Sequence, residues 1–237
     1  MWYVAITSNI YMGGVGRLTF EHPIEYLAEG AFSDCSNLIS IIFPDSLTEI
    51  GDWAFSGCSS LTSVTIPDSV TYIGFSPFNN CNSLELFVGK FASEDGRCLI
   101  KEGELIAFAP AELMEYVIPN NVTKISNGAF MNCTGLTSIT IPNSVTEIRH
   151  MAFYGCSNLT SITIGNSVTE IGNDAFEGCS SLKEIYCKAT TPPSVNSYFL
   201  GTTENDFKIY VPKAAVDSYK YSFGWWDYES NIVGYSF

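Results

Sequence analysis

The sequence predicts a solenoid of stacked parallel β-strands joined by short helical or 3-10 turns. Two features interrupt it: an inserted β-hairpin and a small α+β cap at the C-terminal end. Three observations carry this expectation. Cys35, Cys58 and Cys81 lie 23 residues apart, as do Cys133, Cys156 and Cys179. Each follows an aromatic residue by three and precedes a leucine by three, as in Phe55-Cys58-Leu61. A single unit is too short to close a core, whereas stacked units bury their apolar residues in columns.

One unit shows how the chain turns. Leu61 to Ile66 ends in period-2 alternation, with Val64 and Ile66 on one face and Ser63 and Thr65 on the other. Pro67-Asp68-Ser69 is turn chemistry and stops that strand. Val70 to Ile73 reads as a second short extended piece. Gly74 ends it, and the Ala-Phe-x-x-Cys stretch of each unit reads as one helical turn. Counting this register predicts coils beginning at Val15, Leu38, Leu61, Leu84, Leu113, Leu136, Leu159 and Leu182. The first is degenerate, so residues 1–30 are read as an N-terminal cap with strand-like Trp2 to Thr7. The solenoid proper is placed at 31–188.

The fifth coil lacks the Ala-Phe-x-x-Cys turn. An insertion of about 90–110 stands in its place. Asp95-Gly96 and Glu102-Gly103 are turn signals, and Cys98-Leu99-Ile100 and Leu105 to Phe108 are short apolar runs, which together predict a β-hairpin. After Cys187 the motif stops. Thr190-Thr191-Pro192-Pro193 breaks structure, Phe207 to Val211 reads as a strand, and Pro212 to Tyr221 as a helix opened by proline. Trp225, Trp226, Tyr228 and Ile232 complete an apolar cluster. Residues 189–237 are therefore read as a capping module over the open solenoid end.

Composition narrows function. Twenty-five Asp and Glu face eleven Lys and Arg, a formal net charge of -14, and only 15% of residues are charged. That balance argues against nucleic acid and anionic membrane surfaces, which both need basic patches. Twenty-seven Ser, 18 Thr and 16 Asn replace the missing charge. There is no run of about 18 apolar residues to span a membrane. The first residues also lack a basic, long-apolar secretion signal. A cytoplasmic protein and a segment trimmed of its address both fit.

The unit Ile-Gly-x-x-Ala-Phe-x-x-Cys-x-x-Leu-x-x-Ile-x-Ile-Pro-x-Ser-Val-Thr resembles the BspA-like class of leucine-rich repeat. It stands as Ile148, Ala152-Phe153, Cys156, Leu159, Ile162, Ile164 and Ser167-Val168-Thr169, with Arg149 and Gly165 departing from it. The hairpin segment and the Ile209 to Pro212 tail are similar to features of family members from gut Bacteroides-type bacteria. The resemblance implies an extracellular or surface-anchored protein that binds proteins or cell-surface material. It implies no catalytic residue, metal or cofactor. A spacer role in a larger surface assembly is the alternative, and a hydrolase the remote one.

The residues agree with that. With no Cys-x-x-Cys pair, the repeated cysteines read as a buried column behaving as small hydrophobes. Cys187 takes a core strand position. His22 and His150 fall in variable turns, so no nucleophile–base pair is singled out. The candidate ligand surface is the exposed strand face. Most of it is a Ser/Thr ladder, which β-propensity alone would explain. Ile42, Leu86, Val88 and Val117 break it, beside Glu115. An apolar patch rimmed by polar residues marks an interaction site. The hairpin flanks these coils and either leaves the patch open or folds over it, and the sequence leaves both open.

Overall fold

The structure, a computed structural model, describes residues 6–12, 15–20, 22–195, 199–200 and 207–237, with backbone alone for 6–20. It is a parallel β-solenoid. Each coil contributes one short strand to a front sheet and one to a back sheet. The front strands before the insertion are Ser40–Ile41, Ser63–Thr65 and Leu86–Val88. After it come Glu115–Val117, Ser138–Thr140, Ser161–Ile164 and Glu184–Cys187, all parallel and in register, residue i opposite i+23. The back strands, such as Glu49–Ile50 and Glu147–Ile148, are two residues long.

The turn between back and front strands has a local cause. In Ala54-Phe55-Ser56-Gly57-Cys58 the Cys58 amide donates to the Phe55 carbonyl, a 3-10-type bond. The residue before each cysteine is left-handed: Asp34, Gly57, Asn80, Asn132, Gly155 and Gly178. Only Gly, Asn and Asp stand there, the residues that adopt this conformation at least cost. The turn therefore cannot grow into a helix. Its outward amides donate instead to the next coil, as Phe55 to Pro77 and Phe153 to Ala175.

Packing follows the columns. Phe32, Phe55 and Phe78 stack at 5.2 and 5.4 Å, and Phe130, Phe153 and Phe176 at 4.8 and 5.3 Å. The column cysteines are buried except Cys35, and all eight are free thiols. Four of them bond back one coil. Cys58, Cys81, Cys156 and Cys179 donate Sγ–H to the carbonyls of Phe32, Phe55, Phe130 and Phe153 at 3.1–3.2 Å. Threonine does the same outside. Thr71, Thr146 and Thr169 hydroxyls donate to the threonine carbonyl 23 residues earlier, and beside the front sheet Thr62, Thr137 and Thr160 donate to the carbonyls of Ile39, Met114 and Thr137, also 23 residues earlier. The abundance of threonine thus reflects coil-to-coil bonding, not only solubility.

The insertion is the expected antiparallel hairpin, Cys98–Lys101 with Glu104–Phe108. Its turn residues, Glu102 and Gly103, both have positive φ, as a type I′ turn requires. Its place was not legible. Glu104–Phe108 pairs parallel with Lys124–Ile125, so the hairpin forms the edge of the second back sheet. Its strands divide two cores. Leu99, Ala107 and Ala109 join the core of the first coils, while Cys98, Leu105 and Phe108 join that of the later ones. A register shift between Leu105 and Ala107 lets both strands serve both sides.

The ends differ from expectation. Val15–Phe20, read as a degenerate first repeat within the N-terminal cap, pairs antiparallel with Ile6–Met12. No Ala-Phe-x-x-Cys turn precedes it to set it in the stack, and a local partner takes it. Trp2 to Ala5 lie outside the described residues. At the other end the motif stops but the pairing continues. Ser194–Val195 joins the back sheet, and Lys208–Pro212 and Ile232–Tyr235 extend the front sheet in parallel. The expected helix is shorter, a 3-10 turn at Lys213–Ala215 followed by Val216–Lys220, with Pro212 at the capping position. Buried Tyr219 and Trp225 anchor this region, donating to the Ala189 and Pro193 carbonyls at 2.8 Å.

Candidate recognition face

The front sheet presents alternate residues to solvent, because its strands bury only the central side chain of each triplet. Leu86–Val88 shows this: Phe87 is in the core and its neighbours are outside. All five residues expected on this face lie there. Ile42, just past the end of its strand, is 94% exposed, Leu86 37%, Val88 43% and Val117 66%, and Glu115 is exposed. The hairpin strands lie in the back sheet, and these side chains stay exposed.

The face is not continuous. Leu86–Val88 and Glu115–Val117 close two separate front sheets. The loop before the hairpin reaches Leu86–Val88, where the Phe87 amide donates to the Gly96 carbonyl. Asp95 fastens this loop. Its Oδ1 accepts from Ser93 Oγ at 2.6 Å and the Arg97 amide at 3.0 Å, and its Oδ2 from Tyr116 Oη at 2.9 Å. The Tyr116 oxygen in turn receives the Cys98 thiol at 3.3 Å. Burial alone would raise the Asp95 pKa, but these bonds outweigh it and hold the carboxyl below its ordinary value.

Two surface features escaped the sequence reading. Met114, just before Glu115–Val117, is 64% exposed and adds to the apolar group at the division. Farther along, Tyr186 stacks on Tyr210 at 4.7 Å, and Tyr235 packs edge-on against both. Tyr186 takes the repeat position of Thr163, one coil on. Tyr210 and Tyr235 could be added only once the sheet was seen to continue beyond the motif.

Burial pushes the thiol of Cys58 up to about 11 and those of Cys81 and Cys98 to about 12, so they stay protonated and unreactive. His22 is exposed. His150, also exposed, contacts the Asn173 carbonyl through Nδ1 at 3.0 Å. No cluster of three or more metal-ligating side chains occurs among the described residues. On the back, Lys124 meets Glu147 at 2.8 Å and Arg149 meets Glu104 at 2.6 Å. Arg149, a departure from the repeat glycine, is thus an ion-pair residue tying the hairpin to the next coils.

The repeat sequence matches a family model. The model for the BspA type leucine-rich repeat region matches six copies over residues 8–90 and 104–225, skipping the loop and first strand of the hairpin. The chain belongs to the BspA-type leucine-rich repeat family. A leucine-rich cell surface protein from Faecalibacterium prausnitzii A2-165 is similar to this BspA-type chain, with 28% identity and a TM-score of 0.67. The match covers 90% of this chain and 58% of that one. A leucine-rich repeat protein from Eubacterium ventriosum ATCC 27560 shares the fold at 22% identity and a TM-score of 0.51, over 80% of this chain and 64% of that one. The pneumococcal vaccine antigen PcpA shares it at 21% identity and a TM-score of 0.50, over 89% and 64%. The BspA-type chain thus spans about six-tenths of the length of these relatives. Among curated proteins no significant sequence match is found. No helix among the described residues is long and apolar enough to cross a membrane.

Proposed function

We propose that this chain is a non-enzymatic, secreted or cell-surface recognition protein that binds a protein or surface ligand through its front face. The observation that carries this reading is the exposed apolar group Ile42, Leu86, Val88, Met114 and Val117, on or directly beside front strands that elsewhere present Ser and Thr. Strand propensity explains the Ser/Thr ladder, but not apolar side chains turned to water. Short rigid strands hold these side chains in place, so binding would cost little ordering entropy. The Faecalibacterium prausnitzii relative described as a cell surface protein supports the location.

The test is capture of labelled host and microbial surface proteins on the immobilised chain. Leu86→Glu and Val117→Glu should weaken capture at least about tenfold, the scale of losing a buried apolar contact, with an unchanged circular dichroism spectrum. Unchanged capture in both variants moves the site off this face.

A further inference from the structure

The acidic excess is not spread evenly. Between His22 and Gly89 the sequence has eight Asp or Glu and no Lys or Arg. Two of these acids, Asp45 and Asp68, stand in the turn that follows each front strand, at the same repeat position. They lie one coil apart, about 5 Å by strand spacing. On the opposite side Glu85 immediately precedes Leu86. All three are exposed, and they rim the face that bears Ile42, Leu86 and Val88.

The later coils show that the turn does not need the charge. Its equivalent positions hold Asn120, Asn143 and Asn166. Asn143 Oδ1 accepts the Asn166 amide at 3.0 Å, a bond that a neutral side chain makes fully. Asp in the first coils therefore supplies charge without geometric benefit, and like charges stacked on adjacent strands cost stability. The first cation after the run, Lys90, reaches the Asp68 backbone carbonyl, not its carboxylate.

We infer that the front face of the first three coils takes a basic, apolar-bearing segment of a protein partner. The segment's apolar side chains lie over Ile42 and Val88, and its Lys or Arg side chains meet the Asp45–Asp68 and Glu85 rims. This rests on the recognition reading above and names the partner chemistry. A small cation is a poorer fit, since it would leave the apolar strip unused.

The experiment is fluorescence anisotropy with a labelled alternating Lys–Leu peptide of about eight residues, enough to cross three strands. Alternating Glu–Leu and Lys–Ser peptides are the controls. The Lys–Leu peptide should bind, and should lose about tenfold in affinity between about 50 and about 500 mM NaCl as the rims are screened. The variant Asp45→Asn/Asp68→Asn, which copies the protein's own later coils and so keeps the turn, should also lose about tenfold. Equal binding of the Glu–Leu or Lys–Ser peptide, or full affinity in the Asn variant, overturns the inference. Surface capture that depends on Leu86 but not on Asp45 and Asp68 would do so too, while leaving the recognition reading standing. Absent capture alongside charge-dependent peptide binding would have the opposite meaning.

Discussion

The coils before the hairpin and the coils after it use one repeat, yet their charges are arranged differently. The first set carries acids with no cation between His22 and Gly89. The second spaces its acids among Lys124, Arg149, Lys183 and Lys188, and both Lys124 and Arg149 pair with Glu147. Their interiors also differ in extent. The first core runs from Leu27 to Phe87 and ends on the hairpin. The second continues from the hairpin to Ile232, through the C-terminal region. The repeat dictates how a coil folds but leaves its outer turn positions free. Those positions are where the two halves diverge.

The strongest way to break this comparison is to damage each core separately. Phe55→Ala and Phe153→Ala each remove a fully buried ring from a stacked column. Each should cost about 3–5 kcal/mol. In a quasi-one-dimensional protein the loss should stay on its own side of the hairpin. Hydrogen exchange read coil by coil across a urea series checks this. Equal loss of protection on both sides would mean that the hairpin does not divide the molecule. The smaller first core should open at lower urea in the wild-type chain.

A second substitution tests the junction itself. Tyr116→Phe keeps the ring packed on Phe108 at 4.7 Å but removes the bonds to Asp95 and Cys98. The expected cost is about 1–2 kcal/mol, with exchange rising first in the Ser93–Arg97 loop. No change there would mean that the loop is held by its backbone bonds alone.

The same junction has a pH signature. Asp95 has a lowered pKa in the folded chain. Its contribution is therefore complete above the unfolded carboxyl value and is lost as pH falls through the lower folded value. Wild type should exceed Asp95→Asn by about 1 kcal/mol near neutral pH. The gap should narrow as pH falls below the ordinary carboxyl value and close below the lower folded one. Urea unfolding of both proteins at two pH values measures it, and a pH-independent gap would remove the carboxylate from the account.

The smallest effect is chemical. At pH 8 iodoacetamide should label Cys35 in the folded chain and spare the buried column, whose thiols are pushed up by desolvation. Peptide mass spectrometry reads the sites. Rapid labelling of Cys156 would show that the column opens in the native state.

Much of this was legible because the repeat couples spacing to burial. The i, i+23 register, the inward Val64 and Ile139, the buried cysteines and the exposed Ile42, Leu86, Val88, Glu115 and Val117 all follow from period-2 alternation inside a 23-residue period. The hairpin was legible from Glu102-Gly103, whose positive φ values a type I′ turn requires. Its role as a wall was not, because Cys98 and Leu99 are equally apolar in sequence and face different cores only in space. The tyrosine stack was hidden for a related reason. Tyr186 and Tyr210 are 24 residues apart and adjoin only because Lys208–Pro212 pairs with Glu184–Cys187.

The sequence by itself determined the coil: where it turns, which side chains enter the core, and which reach water. Those are local outcomes of strand alternation and of left-handed turn residues, and one period suffices to write them. Only the tertiary structure decided how the coils are grouped. Backbone donors and acceptors left at a sheet edge bond with whatever segment packs there, whatever its motif. Hence Val15–Phe20 left the stack, Ile232–Tyr235 joined it, and the loop before the hairpin divided the front face between Val88 and Val117.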